Sequence, residues 1–192
     1  IYNGHVINLE KWDVTLPNGK PAMREVAIHK GASAIVPVDD EGYVYLVRQF
    51  RTPLQRVLTE VPAGKLDSAG EDHLVAAKRE LHEETGFTAK KWTHLVDLAT
   101  TPGFCTERIS IYLATGLSQH PAHTDPDEFL RLTKMPLSEA AALCMAGELR
   151  DSKTVVGLLM AQQLLQRDAQ LPLHASASIQ RGSAAVSSQG KE

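Results

Sequence analysis

The sequence predicts an α/β sandwich preceded by an antiparallel strand unit, and three observations carry that prediction. Short apolar or alternating runs lie on both sides of one strong helical pattern between Gly64 and Phe87. Two further helical patterns follow between Ser138 and Arg167, and an Asn-Gly turn between two extended runs opens the chain. With 192 residues, 43% hydrophobic and 22% charged, the composition is that of one soluble domain able to bury a core. No internal repeat is visible.

The elements follow in order. Gly4 to Leu16 and Ala22 to His29 read as strands flanking Pro17-Asn18-Gly19-Lys20, a hairpin signal. This unit, residues 1–29, holds Trp12 but few aliphatic residues, so it must pack on something to be stable. Ala32 to Val38 is a short apolar strand, Asp39-Asp40-Glu41-Gly42 a turn, and Tyr43 to Phe50 an alternating strand that ends in Arg48 and Arg51. Val57 to Val61 delivers Pro62, Ala63 and Gly64 into a loop. The central helix runs from about Glu71, with Glu71 and Asp72 at its positive end, to Thr85, with Gly86 as a left-handed cap. Strands at His94 to Ala99 and Ile109 to Thr115 enclose a Pro-Gly loop, and Phe129 to Leu132 makes a last strand after the acidic stretch Asp125 to Glu128. Helices from Ser138, read as an N-cap, to Ala146 and from Asp151 to Arg167 complete a domain over residues 30–170. Residues 171–192 are rich in Ser, Ala, Gln and Gly and read as a disordered or loosely packed tail.

Composition removes several function classes. No run approaches the ~20 apolar residues of a spanning helix, and the start carries no signal-peptide pattern; with Ile1 first, a few leading residues are expected to precede it. A net charge of −3 argues against general nucleic-acid binding, so an anionic ligand would need local cations or metal. Two cysteines, Cys105 and Cys144, make neither a disulfide framework nor a zinc site, which fits a reducing cytoplasm.

The central helix carries the chemistry. At about 100° per residue, Glu84 lies about 40° from Glu80 on one side and Glu83 about 60° on the other, while Leu74, Ala77 and Leu81 form the adjoining apolar stripe. Like charges at this spacing repel by a few tenths of a kcal/mol per exposed pair, and by more beside a packed flank. A cation offsets that repulsion, and a hard divalent ion such as Mg²⁺ takes oxygen ligands of this kind. Alone, RELHEE is better explained as a solvated acidic helix face.

The longer pattern decides between them. Gly64, then Glu71, seven residues, Arg79-Glu80-Leu81-His82-Glu83-Glu84-Thr85-Gly86 resembles the signature of the Nudix hydrolase superfamily. Two departures stand out: Phe87 takes an aliphatic position, and six residues instead of five separate Gly64 from Glu71, adding one residue around Ser68-Ala69-Gly70. The extra residue precedes the helix, so it alters the loop without moving the carboxylates relative to one another. The resemblance extends over about Arg24 to Thr154 through Arg24-Glu25-Val26, His29-Lys30-Gly31-Ala32, Val47-Arg48-Gln49-Phe50-Arg51, Glu60-Val61-Pro62-Ala63-Gly64-Lys65-Leu66-Asp67, Thr101-Pro102-Gly103-Phe104 with Glu107, and Asp151-Ser152-Lys153-Thr154. These segments resemble the ADP-ribose pyrophosphatase branch, which hydrolyses ADP-ribose to AMP and ribose 5-phosphate.

The resemblance implies a mixed sheet between helices, an α/β/α sandwich, with the signature as a loop-helix-loop. It implies Mg²⁺, with Mn²⁺ as a substitute, on Glu80 and Glu84, on Glu83 directly or through water, and on the Ala63 carbonyl. It gives Arg79 and Glu71 an orienting salt bridge, Arg51 a phosphate or adenine contact, and Glu107 a contact to substrate or metal-bound water. The loop with Gly103 and Phe104 would lie beside the terminal ribose. Arg24 and Glu25 match a strand that reaches the partner subunit's nucleotide, so residues 1–29 are expected to make a homodimer. The general base belongs to a late loop, which points to Glu128 and then Asp127, with Pro126 standing where relatives can carry glutamate. Two alternatives remain open at this level: hydrolysis of another nucleoside diphosphate sugar of the GDP-hexose type, and a non-catalytic ADP-ribose-binding module. The second would require lost box acids or an appended DNA-binding domain, and neither is seen in this sequence.

Overall fold

The computed structural model describes residues 1–4, 7–68, 70–120 and 130–170. Two β-sheets and three helices account for most of them. Strands β1 (Tyr2–Asn3), β2 (Asn8–Thr15) and β3 (Pro21–Ile28) form a small antiparallel sheet in that order. Its hairpin pairs Asn8 with Ile28 at one end and Thr15 with Pro21 at the other, so the Asn-Gly turn falls where its residues demand. Gly19 supplies the left-handed step with φ +78°.

The larger sheet is built from β4 (Ala32–Val38), β5 (Tyr43–Arg51), β6 (Arg56–Glu60), β7 (Ala63–Lys65), β8 (Phe87–Ala99), β9 (Arg108–Gln119) and β10 (Arg131–Pro136). The central order is β10-β5-β4-β9-β8, with β6 added to β5 and β7 to β4. Only β4 and β9 run parallel, which makes the sheet mixed. One helix, α1 (His73–Thr85), covers one face, and α2 (Leu137–Met145) and α3 (Ser152–Gln170) cover the other. The expected α/β/α sandwich is therefore what the chain forms.

Strand β4 shows why both faces need helices. Ala34, Val36 and Val38 point into the core beneath α2 and α3, whereas Ile35 points into the core of Ala77, Leu81, Phe87 and Ala114 beneath α1. Every residue of β4 is buried, the pattern of a central strand covered on both sides. Leu81 and Ile35 are fully buried, and each contributes roughly 1.5–3 kcal/mol by leaving water. Gly157 lets α3 approach closely, since a Cβ there would meet Val36 Cγ2 at 2.9 Å.

Several boundaries differ from the sequence expectation, each for a local reason. The central helix starts at His73, not Glu71, because Asp72 is the N-cap and accepts from the amides of Leu74 and Val75 at 2.9 and 3.0 Å. Gly86 closes it in the expected left-handed conformation, φ +72°. Ser138 is not an N-cap: it lies inside α2, whose first amide, Leu137 N–H, donates instead to the Gly42 carbonyl at 3.0 Å. Asp151 directly precedes α3 and accepts from the Thr154 amide at 3.0 Å. Strand β8 begins at Phe87, seven residues before the expected start, because its polar first half pairs with the far end of β9 at an edge of the sheet. The last strand runs over Arg131–Pro136, later than Phe129 to Leu132. Asp125 to Glu128, and residues 171–192, lie outside the described residues.

Candidate active site

The acidic face of α1 meets the short strand β7, and glycine makes the meeting possible. A Cβ added to Gly64 would lie 1.9 Å from Glu80 Oε1 and 2.2 Å from Oε2, so any side chain there would displace the carboxylate. One turn on, Glu84 Oε2 accepts from the Ala63 amide at 3.1 Å. Both carboxylates are buried, and both lie against the backbone of Ala63 and Gly64.

Arg79 supplies the counter-charge for this face. Its Nη1 donates to Glu80 Oε1 at 2.7 Å and to Glu83 Oε2 at 3.2 Å, while Nη2 donates to the Lys65 carbonyl at 3.2 Å and meets Glu71 Oε1 at 3.5 Å. Asp67 Oδ2 lies 3.5 Å from Nε. Burial works against the guanidinium charge, but Glu80, Asp67 and Glu71 outweigh it and raise the Arg79 pKa. Glu71, left outside the helix, also accepts from the Asp67 amide at 2.6 Å and ties the lengthened loop to the cluster.

Arg79, Asp67, Gly64 and the three glutamates of α1 line a cleft of about 830 Å³, a size suited to a nucleotide-sized ligand. Its walls carry charge of both signs. Glu80, Glu83 and Glu84 share it with Lys30, Arg51, Lys65 and Lys153. Glu107 also faces it, accepting from Thr100 Oγ1 at 2.8 Å and lying 3.5 Å from His29 Nδ1. A groove of about 820 Å³ between β8 and α3 is lined largely by neutral side chains such as Leu159, Met160 and Gln163 and has no carboxylate cluster.

The expected residues do not all converge. Arg51, Ala63, Arg79, Glu80, Glu83, Glu84 and Glu107 line the cleft, whereas Arg24, Glu25, Gly103 and Phe104 do not. Arg24 and Glu25 are exposed on β3, and Phe104 is 60% exposed. The loop carrying Phe104 is nonetheless fixed to β3, since the Ala27 amide donates to the Phe104 carbonyl at 2.7 Å and the Thr106 amide to the Ala27 carbonyl at 3.0 Å. Asp127 and Glu128 lie outside the described residues.

One cluster has no assigned role in the sequence reading. Glu60, only 1% exposed, accepts from Arg51 Nε and Nη2 at 2.8 and 2.7 Å and from Lys153 Nζ at 2.5 Å. Desolvation pushes its carboxyl pKa upward, yet the bonds from Arg51 and the charge of Lys153 hold it below the ordinary value. The same bond to Glu60 raises the Arg51 pKa against the effect of burial. An acid closing an apolar strand run was the available signal, but Lys153, 93 residues away, could not be paired with it from spacing.

The donor set suits a hard divalent cation. It consists of carboxylates and backbone oxygen on a rigid helix and an adjoining strand, and the Gly64 cradle leaves Glu80 room at the backbone. Among the described residues no three acidic, His or Cys side chains close on one point as a finished coordination shell. Glu80 and Glu83 lean on Arg79, and Glu84 leans on the Ala63 amide.

Comparison with known proteins places this geometry. Residues 27–155 match the model of the NUDIX domain. The chain is 43% identical to a Bacillus subtilis protein named ADP-ribose pyrophosphatase, over 84% of this chain and 88% of that one. It is 42% identical to a Bacillus methanolicus protein named methanol dehydrogenase activator, with the same coverage of both chains. A solved structure of an ADP compounds hydrolase shares the fold with a TM-score of 0.76 at 24% identity, covering 89% of this chain and 92% of that chain.

Gly64→Ala tests the cradle. The added methyl group should displace Glu80 and weaken divalent-metal affinity by roughly 10–100-fold, the usual cost of disturbing a ligand's support. Calorimetric titration with Mg²⁺ measures it, and unchanged affinity would remove Gly64 from the site.

Proposed function

The chain belongs to the NUDIX family, and from that premise we propose that it hydrolyses the diphosphate linkage of ADP-ribose, giving AMP and ribose 5-phosphate. The observation that carries the reading is the packing of Glu80 and Glu84 against Gly64 and Ala63 in a cleft that also presents Arg51 and Lys153. A diphosphate ester needs its negative charge offset before a nucleophile can approach, and this cleft has both the carboxylates to hold a cation and cations of its own. Every acid of the box is present, which favours catalysis over a binding module.

Glu80, Glu84, the Ala63 carbonyl and Glu83 would hold the metal, with Mg²⁺ as the ion and Mn²⁺ as a substitute. When bound, such an ion neutralises phosphate oxygens and lowers the pKa of a water. The residues of the chain do the rest. Arg79 keeps the carboxylates of α1 oriented while they are unligated. Arg51 binds phosphate or adenine, and Glu107 contacts the substrate or a water, with Thr100 fixing its carboxylate. In the reaction the water oxygen bonds to phosphorus, the bridging P–O bond breaks, and the water proton passes to a carboxylate, assigned to Glu128 and then Asp127. Gly103 and Phe104 serve the terminal ribose through their loop.

We further assign residues 1–29 to a homodimer. The small sheet leaves Tyr2 and Met23 exposed at 60% and 47% on one face and Trp12 at 43% on the other, side chains that strands exchanged between two subunits would cover, bringing Arg24 and Glu25 to the partner's nucleotide. Among the described residues no helix is long and apolar enough to cross a membrane. Both cysteines are free thiols, which supports the assignment to a reducing cytoplasm.

Three measurements test these assignments. In a panel of nucleoside diphosphate derivatives with Mg²⁺, resolved by chromatography, ADP-ribose should be turned over with the highest kcat/KM, and a preference for a GDP-hexose would replace the substrate assignment. Glu128→Gln should lower kcat by about 10²–10⁴-fold with substrate and metal binding almost unchanged. A larger loss in Asp127→Asn would move the base one residue back, and less than tenfold in both would pass the role to Glu107. Light scattering should give twice the chain mass for the intact protein, and a monomer after deletion of residues 1–21; an active monomer of the intact chain would contradict the dimer.

A further inference from the structure

We infer that Glu60 is a positioning residue of the cleft, holding Arg51 and Lys153 so that the free edge of the Arg51 guanidinium faces a phosphate of the bound ligand. The inference rests on the diphosphate reading of the cleft and adds a residue to it. Glu60 ends β6, nine residues after Arg51 at the end of β5, and the two strands pair antiparallel. The Arg51 fork meets the carboxylate through Nε and Nη2, which fixes the plane of the guanidinium and leaves Nη1 as the nitrogen for a ligand. Arg51 retains 38% of its side-chain exposure and lines the cleft, whereas the carboxylate that holds it is 1% exposed.

The rear of the cluster is anchored as firmly. Lys153, also buried, donates to the second oxygen of Glu60 and lies 3.0 Å from Asp151 Oδ2. Asp151 accepts from the Thr154 hydroxyl at 2.6 Å, and that hydroxyl accepts from the Val61 amide at 2.9 Å. The start of α3 is thus bolted to Glu60, which ends β6, and to Val61, which follows it and leads to Ala63 and Gly64.

Stability alone does not account for an acid at this position. A buried ion pair is weak evidence for stability, because the desolvation of both charges cancels much of their attraction and apolar residues of equal volume often serve as well. What an apolar residue cannot do is aim a guanidinium. Asp151 and Glu84 also act on the Arg51 charge, so without Glu60 the side chain is drawn toward the acids of the cleft, away from an incoming phosphate.

The test is Glu60→Gln, which keeps the shape and removes the charge. KM for ADP-ribose should rise roughly tenfold or more with kcat within about threefold, the pattern of a lost binding interaction. Arg51→Ala should raise KM similarly, and E60Q added to it should change KM by less than about twofold, since the two act as one unit. A purely structural role predicts additive effects and would overturn the inference. Calorimetric binding of inorganic diphosphate with Mg²⁺ to the full chain should weaken by a similar factor in E60Q. That readout separates the two failures: no turnover of ADP-ribose by the unsubstituted chain refutes the substrate, whereas unchanged diphosphate affinity in E60Q refutes the role of Glu60. Should E60Q not fold, Glu60→Asp keeps a buried charge beside Lys153 and shortens its reach to Arg51, and it must weaken diphosphate binding for the inference to stand.

Discussion

Three glutamates within five residues of one helix, two of them buried, are the constraint on which this structure depends. Their repulsion grows as their flank leaves water, and it must be balanced locally. Arg79 does so in the unligated protein by reaching Asp67, Glu71, Glu80 and Glu83 at once. That one side chain couples the helix to the loop before it, so the shape of the loop and the orientation of the carboxylates are set together. The added loop residue is accommodated within this scheme, since Glu71 still reaches Arg79 although it stands outside the helix.

Placement of the helix is a matter of packing, not charge. Leu81 and Ala77 bury against Ile35 of β4, and this fixes the rotation of α1 about its axis and the direction in which Glu80 and Glu84 point. The same strand pairs with β7 through Ala34 with Ala63 and Ser33 with Gly64. One central strand therefore positions both halves of the site, the helix through its Ile35 face and the backbone cradle through its hydrogen bonds. A slip of one residue in β4 would turn its core side chains to the wrong face and separate the halves.

What could be read from the sequence follows from how local each signal is. The faces of α1, the Gly86 cap and the Asn18-Gly19 hairpin depend on residues a few positions apart, and all were legible. The start of α1 is not fixed by local sequence because Glu71 and Asp72 look alike as first-turn acids, and only the side-chain bonds of Asp72 distinguish a cap. The first half of β8 is invisible to periodicity because Thr88, Lys90 and Lys91 carry no apolar period, although an edge strand tolerates them and charge there discourages pairing with other chains. Ser138 has the chemistry of a cap but not the place. The Glu60 cluster joins β5, β6 and α3, and no pattern within a window of sequence can pair an acid with a lysine 93 residues later.

The N-terminal sheet shows how far the site extends. Tyr2, Trp12 and Met23 face solvent, yet its last strand is not peripheral: Val26 is buried, Ala27 is held between the backbones of Phe104 and Thr106, and the His29 amide donates to Thr106 Oγ1 at 2.9 Å. His29 in turn faces Glu107 across 3.5 Å at the rim of the cleft. Order in β3 is therefore passed on to the loop that carries Phe104 and Glu107. The N-terminal sheet and the ligand site are linked through backbone hydrogen bonds, so a change that loosens β3 is felt in the cleft even though Arg24 and Glu25 do not line it.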